Sequence, residues 1–395
     1  MAQLLRGGRL LLDERIVDGH DLLIADGRIV AVGPGLDPDG ATPVDLPPGS
    51  LLAPGFIDVQ VNGGGGTLFN DEPTQTGVQT IAAAHRRFGT TGLLPTIITD
   101  APDRLSRAAD AVIAARAIPG SGVLGVHFEG PFISPQRPGV HDPRFIRSPT
   151  AADLALLTDL AADPAVGRVL LTLAPETVDS ATLDRLAGTG ILLSAGHSAA
   201  DWQQTTDALA HGVRGFTHLF NAMPPLTARA PGLIAAALLD PNSWCGLIVD
   251  GIHVHPGTLR LALAAKPFDR MMLVTDAMLA TGTDVSEFDL QGRRVLRRNG
   301  RLETEDGTLA GADIDMAQAV RNCRDLLGLP VERALALASR HPAAFLGLDD
   351  RLGRIAPGWQ ADLVLLTDDL QVLGTWVEGG WLAADPAKAP VPPAA

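Results

Sequence analysis

RVLLTLAPETVDSATLDRLAGTGILLSAGHSAADWQQTTDALAHGVRGFTHLFN, residues 168 to 221, contains three short apolar runs separated by stretches with helical periodicity. The runs RVLLTLAPE (168 to 176), ILLSAGHS (191 to 198) and GFTHLFN (215 to 221) read as strands buried on both faces, the form taken by strands of a parallel sheet between covering helices. The unit recurs outward in both directions. FIDVQVN (56 to 62), GLLPTIIT (92 to 99) and GVLGVHFEG (122 to 130) precede it, and CGLIVDG (245 to 251) and MMLVTDAM (271 to 278) come after it. Amphipathic stretches such as TGVQTIAAAHRRFG, DRLSRAADAVIAARA and ADWQQTTDALAHG lie between. Eight such units close into a (β/α)8 TIM barrel, expected over residues 54 to 349.

The flanks have a different style. Residues 1 to 53 and 350 to 386 read as short strands with turns, at Asp-Gly pairs in the first flank. Neither flank alone has enough strands to bury a face, so one small β-sandwich built from both termini is expected. The tail, 387 to 395, is expected to be unstructured.

The 31 basic and 45 acidic side chains give a formal net charge of -14, which disfavours nucleic acid and anionic membrane surfaces as partners. An anionic ligand would need its own basic pocket. Cys245 and Cys323 are far apart and lack CxxC spacing, so neither a disulfide framework nor a cysteine-rich zinc site is indicated, and a reducing cytoplasm fits. The amino-terminal stretch breaks its apolar runs with Arg6, Arg9 and Asp13 and does not read as a secretory signal. No apolar run approaches the length of a membrane span.

Barrel enzymes carry their chemistry at the carboxy-terminal ends of the strands. Four polar residues fall late in four different runs: Glu129, His197, His218 and Asp276. Two imidazoles and a carboxylate can hold a divalent cation with a position open for water, and a further carboxylate can move that water's proton. The pattern points to a metal-dependent hydrolase. The alternative is isolated polar residues satisfied near strand ends, with Asp276 capping the next segment. His127 alternates with Glu129 and is expected to serve in packing or support.

PGFIDVQVNGGGG, HFEGPFISPQRPGVHDP, SAGHSAAD, FTHLFNAMPPL, VDGIHVHP and VTDAM occur in that order. Together they resemble the N-acetylglucosamine-6-phosphate deacetylases of the amidohydrolase superfamily, over nearly the whole chain. The resemblance implies hydrolysis of the acetamide of an N-acetylhexosamine 6-phosphate. It implies Glu129, His197 and His218 as metal ligands and Asp276 as the proton carrier. His141, on the loop after the third run, would help polarise the acetyl carbonyl. Asn221, the backbone at Ala222, Arg229 and His253 would bind the sugar phosphate, and Leu309, Ala310 and Gly311 would line the sugar through backbone groups. His255 is either a further donor or structural, and Gly311 alternatively opens the following helix.

Many amidohydrolases end the first strand with HxH to hold a second metal, whereas Gln60 and Asn62 stand there in this chain. Amide oxygens are weaker ligands than imidazoles, so one divalent ion per subunit is expected, zinc suiting it best and iron, cobalt or manganese able to substitute. Gln60 either bonds a neighbouring ligand or the metal's water, or contacts a cation directly. The NGGGG run after the first strand lacks the GxxxxGK[ST] phosphate-loop pattern and reads as a flexible connection. His20, His85, His211 and His341 need no catalytic role. The competing readings are the galactosamine counterpart or another amidohydrolase, and a non-catalytic scaffold, against which the intact polar set speaks. The family further implies a homodimer.

Overall fold

The computed structural model describes residues 2–38 and 40–384. The expected unstructured tail, and the last two residues of the expected carboxy-terminal lobe, lie outside the described residues.

Each of the eight apolar runs overlaps one strand of a single parallel sheet in chain order, and three of the strands start one or two residues before their runs. The strands are β1 (Phe56–Val61), β2 (Thr90–Ile98), β3 (Gly125–Glu129), β4 (Arg168–Leu173), β5 (Leu192–Ala195), β6 (Val213–Phe216), β7 (Trp244–Leu247) and β8 (Met271–Leu273). All nine residues of β2 and all six of β1 are buried, because one face meets the barrel interior and the other the helices. The helix Gln75–Arg86 turns Val78, Ile81, Ala82 and His85 to the barrel, and Thr74 caps it by accepting from the Gly77 N–H. Asp201 and Gln204 form a reciprocal capping box at Trp202–Ala210.

The closure between β8 and β1 is sparse. The last strand ends at Leu273, and contact with β1 comes beyond it through a parallel bridge of Val61 to Ala277 and the Asp276 N–H donating to the Gln60 carbonyl at 3.0 Å. The barrel is therefore nearly closed, with a short irregular seam at the end where Asp276 sits.

The two termini build a sandwich, as the flanking pattern implies. A six-stranded sheet joins Leu51–Pro54, Arg9–Leu12 and Arg15–Val17 to Leu363–Leu366, Val372–Val377 and Gly380–Ala383. A four-stranded sheet contains Gln3–Arg6, Asp21–Ala25, Arg28–Gly33 and Thr42–Asp45. Leu5, Leu22 and Ile24 from the smaller sheet share one core with Leu10, Leu363 and Trp376 from the larger.

One sheet lies outside the sequence expectation. Between β8 and the helix Met316–Asp325, the strands Glu287–Leu290, Arg293–Arg298, Arg301–Thr304 and Leu309–Ala312 form an antiparallel sheet. Its first two hairpins turn on Gln291-Gly292 and Asn299-Gly300, with all four residues at positive φ. That is the backbone a two-residue hairpin turn needs, and Asn-Gly is a recognised signal for it. The segment around Leu309 to Gly311 is a strand, and the helix after it starts behind the Asp315 cap and not at Gly311.

His341, 2% exposed near the amino-terminal end of β8, donates from Nδ1 to the Met271 carbonyl at 2.8 Å. Burial pushes its pKa down to about 4. The unfolded chain binds this proton below about pH 6.5 while the folded chain refuses it until about pH 4, so stability drains as pH falls through that window. Urea midpoints of the parent and His341→Gln should converge as pH falls from 6.5 to 4, the parent losing more; parallel curves would refute the assigned neutral state.

Candidate metal centre

Glu129 is the last residue of β3, His197 lies two residues past β5, His218 two past β6 and Asp276 three past β8. The last three adopt left-handed backbone conformations, with φ of 47°, 31° and 52°. Such a conformation costs about 1–3 kcal/mol in a residue with a side chain, and here it accompanies side chains that meet over the barrel mouth. Gly196 lets the chain pass close to its neighbours just before His197, since a Cβ there would meet Thr172 Cγ2 at 2.8 Å and Thr217 Cβ at 2.9 Å.

His197 Nε2 lies 3.2 Å and His218 Nε2 3.0 Å from Glu129 Oε1, and the two imidazole nitrogens are 3.1 Å apart. Three ligand atoms at about 2.0–2.2 Å from a tetrahedral zinc stand about 3.3 Å from one another, so this donor set fits a divalent cation. His197 Nδ1 is 3.0 Å from the Arg137 carbonyl, which can only accept. The ring proton is therefore on Nδ1, and Nε2 offers its lone pair to the centre. His218 Nδ1 is buried with no hydrogen-bond partner among the described residues.

His141 joins the cluster from the loop after β3. Its ring centroid is 4.3 Å from that of His197, and ligand atoms of Glu129, His141 and His197 lie within 4.8 Å of one another. The tighter contacts are those of Glu129 with His197 and His218. Thr99 Oγ1 holds His141 Nδ1 at 2.8 Å and leaves Nε2 directed elsewhere.

Charge depends on burial. Burial pushes the Glu129 carboxyl up, but the His197 and His218 imidazoles facing it outweigh that and hold the group well below the usual carboxylate range. Burial works against the charged form of His218, yet pairing with Glu129 carries its pKa above the ordinary histidine value. Burial, then the neighbouring Glu129 charge, raises Asp276 to about 6. Burial, then His197, holds His141 well below the ordinary histidine value and keeps it neutral.

Gln60 and Asn62 turn amide nitrogens toward these carboxylates. Gln60 Nε2 donates to Glu129 Oε1 and Asp276 Oδ1, both at 3.2 Å, and Asn62 Nδ2 donates to Asp276 Oδ1 at 2.7 Å. Of the roles left open for Gln60, the geometry matches bonding to a neighbouring group.

A cavity of about 490 Å³ opens over the cluster, within the range of small-molecule sites. Asn221, Ala222, His253, Leu309 and Gly311 line it together with Asp276. His253 Nδ1 donates to Asp250 Oδ2 at 2.6 Å. Two expected residues lie apart: Arg229 is exposed and outside the lining, and Ala310 is fully buried behind it. His255 caps the helix Pro256–Ala265 by accepting from the Gly257 N–H, the structural role. His127 is buried between the Val59 carbonyl and Thr172. Sequence reasoning missed Asp250 and Thr99. Asp250 was discoverable, three residues before a histidine in DGIH, whereas the Arg137 carbonyl leaves no trace in residue identity.

Residues 51–382 match the amidohydrolase family. The chain is 44% identical over 336 residues to an N-acetylgalactosamine-6-phosphate deacetylase of Shewanella sp. (strain ANA-3), covering 85% of this chain and 83% of that one. The crystal structure of N-acetylglucosamine-6-phosphate deacetylase from Pasteurella multocida superposes with a TM-score of 0.92 at 34% identity, over 97% of this chain and 100% of that one. A mutant of the Mycobacterium smegmatis enzyme in complex with N-acetyl-D-glucosamine-6-phosphate gives 0.87 at 31% identity, over 96% and 98%.

A ligand bound only by the folded state stabilises it by about 2.7 kcal/mol at a hundredfold excess over Kd. Zinc added to chelator-stripped protein should therefore raise the melting temperature, and Glu129→Ala should abolish the shift. An equal shift in that variant would place the cation elsewhere.

Proposed function

Since this chain belongs to the amidohydrolase family, is closely related to the N-acetylglucosamine-6-phosphate deacetylases and is a metal-dependent enzyme, we propose that it hydrolyses N-acetyl-D-glucosamine 6-phosphate to D-glucosamine 6-phosphate and acetate. The observation that carries the reading is the meeting of Glu129, His197 and His218 with Asp276 in one cavity of suitable size. The barrel, 54–349, does the chemistry, and the described residues of the sandwich, 1–53 with 350–386, contribute none of these site side chains.

Glu129, His197 and His218 hold one divalent cation per chain, zinc suiting the set best. When bound there, the cation would supply Lewis acidity, enough for water to act near neutrality and for the amide carbonyl to be polarised. Asp276 receives the proton of the attacking water and passes it to the leaving amine nitrogen, so one carboxyl serves as base and then as acid. With Oδ1 held by Asn62 and Gln60, Oδ2 is the oxygen assigned to that transfer. Neutral His141 sits beside the triad to stabilise the developing oxyanion.

Asn221, the Ala222 backbone, His253 and Arg229 bind the phosphate end, and the backbone of Leu309 and Gly311 lines the sugar, with Ala310 packed behind them. Arg229 lies outside the cavity lining, and its assignment requires the exposed stretch 225–230 to bring the guanidinium to the phosphate. The reading includes a homodimer, implied by the family, and cytoplasmic action, supported by two buried free thiols. No described helix is long and apolar enough to cross a membrane.

The galacto epimer is the second reading, favoured by the 44% identity to the Shewanella enzyme. The epimers differ in one hydroxyl configuration, so loops rather than the catalytic set choose between them. Acetate release from the two N-acetylhexosamine 6-phosphates and from unphosphorylated N-acetylglucosamine separates the readings; no release from either phosphate would end both. Asp276→Asn should keep its metal and lose about 10²–10⁴-fold in turnover, and unchanged turnover would refute the shuttle. Arg229→Ala should raise KM for the phosphorylated sugar and leave that for the unphosphorylated one unaltered.

A further inference from the structure

Asp58 is a carboxylate with no exposed surface, set inside the barrel on β1 one turn of the pleat below Gln60. A buried carboxyl without an opposing charge is costly unless donors surround it. Three do. Its Oδ1 accepts from the Gln60 N–H at 3.1 Å and the Thr275 N–H at 3.3 Å, and its Oδ2 accepts from the Thr275 hydroxyl at 2.5 Å. No basic side chain bonds it among the hydrogen bonds of the described residues.

The location gives these bonds their meaning. The β8 ladder ends at Leu273, and β8 forms no ladder with β1, so the seam between first and last strands depends on the residues just after Leu273. Asp58 grips Thr275 through backbone and side chain together. The next residue is Asp276, whose N–H donates to the Gln60 carbonyl at 3.0 Å and whose carbonyl accepts from the Ala312 N–H at 2.9 Å, at a φ of 52°. A residue in that conformation stays there only if its surroundings over-determine it. The grip of Asn62 on Asp276 Oδ1 also presumes that segment 275–277 lies against β1.

We infer that Asp58 and Thr275 form a positioning pair that stitches the barrel seam and thereby aims the Asp276 carboxyl at the reacting atoms. Neither Asp58 nor Thr275 lines the cavity, and neither is hydrogen-bonded to the triad. It acts through Asp276, and so the inference rests on the proposed role of that residue. A displacement of about 1 Å in a catalytic group is enough to cost about a hundredfold in rate.

The test uses Asp58→Asn, which loses one of the two acceptor oxygens, Thr275→Val, which loses the hydroxyl at constant shape, and Thr275→Ser, which restores it. Metal content, melting temperature and steady-state kinetics are measured on each and on the Asp58→Asn/Thr275→Val double variant. The expected result is a loss of at least about tenfold in kcat for the first two with KM within about twofold of the parent, since the loss falls on the transition state rather than on binding. The serine variant should retain parental kcat, every variant its metal, and the double variant should be no worse than the poorer single. Unchanged kcat in folded, metal-loaded variants overturns the inference, as do losses that multiply in the double or that accompany loss of metal. If the parent itself releases no acetate from any N-acetylhexosamine phosphate, the functional reading fails separately. Crystal structures of the variants then decide the inference: a displaced Asp276 carboxyl supports it and an unmoved one overturns it.

Discussion

A carboxylate that is 2% exposed cannot stand alone in a protein interior, and the arrangement around Glu129 answers that constraint. Two imidazoles face the same oxygen, and a second carboxyl, Asp276, shares the cavity. Positive charge must be brought to this point, by a protonated imidazole or by a cation. The opposed shifts of Glu129 and His218 express the first possibility. A dication expresses the second, and the lone pair that Arg137 leaves on His197 Nε2 prepares the site for it.

The fold exists around this point in a particular sense. Parallel strands that are buried on both faces end together at one rim, and the first residues beyond them are free to leave strand geometry. His197, His218 and Asp276 do so by turning left-handed. The strain is tolerable because the barrel beneath is fully packed, with β1 and β2 buried along their whole lengths. The seam between β8 and β1 is the exception to regular pairing, and it falls next to Asp276, where a flat ladder would not direct the side chain into the cavity.

How much of this was legible depends on the kind of signal each feature leaves. The barrel strands declared themselves as apolar runs of strand length, and the four rim residues were visible because each interrupts such a run near its end. The sheet of residues 287–312 escaped the sequence reading, although Asn299-Gly300 marks one of its turns, because its strands are charged and carry little apolar pattern, as in RRVLRR. His141 was visible only through the resemblance, since a loop histidine carries no period. Neither the Arg137 carbonyl nor the donation from Asn62 to Asp276 can be read from residue types, since both depend on which atoms the folded chain presents. Arg229 shows the converse: its type suits a phosphate, yet its position is exposed and off the cavity wall.

The central claim is that three side chains from three strand ends grip one cation beside Asp276. Anomalous diffraction at the absorption edge of the metal in crystals of the purified holoenzyme tests it most directly. The account predicts one peak per chain within about 2.0–2.2 Å of a Glu129 carboxylate oxygen and of Nε2 of His197 and His218. A peak bound by other residues, or a turning-over enzyme with no peak at all, would contradict it.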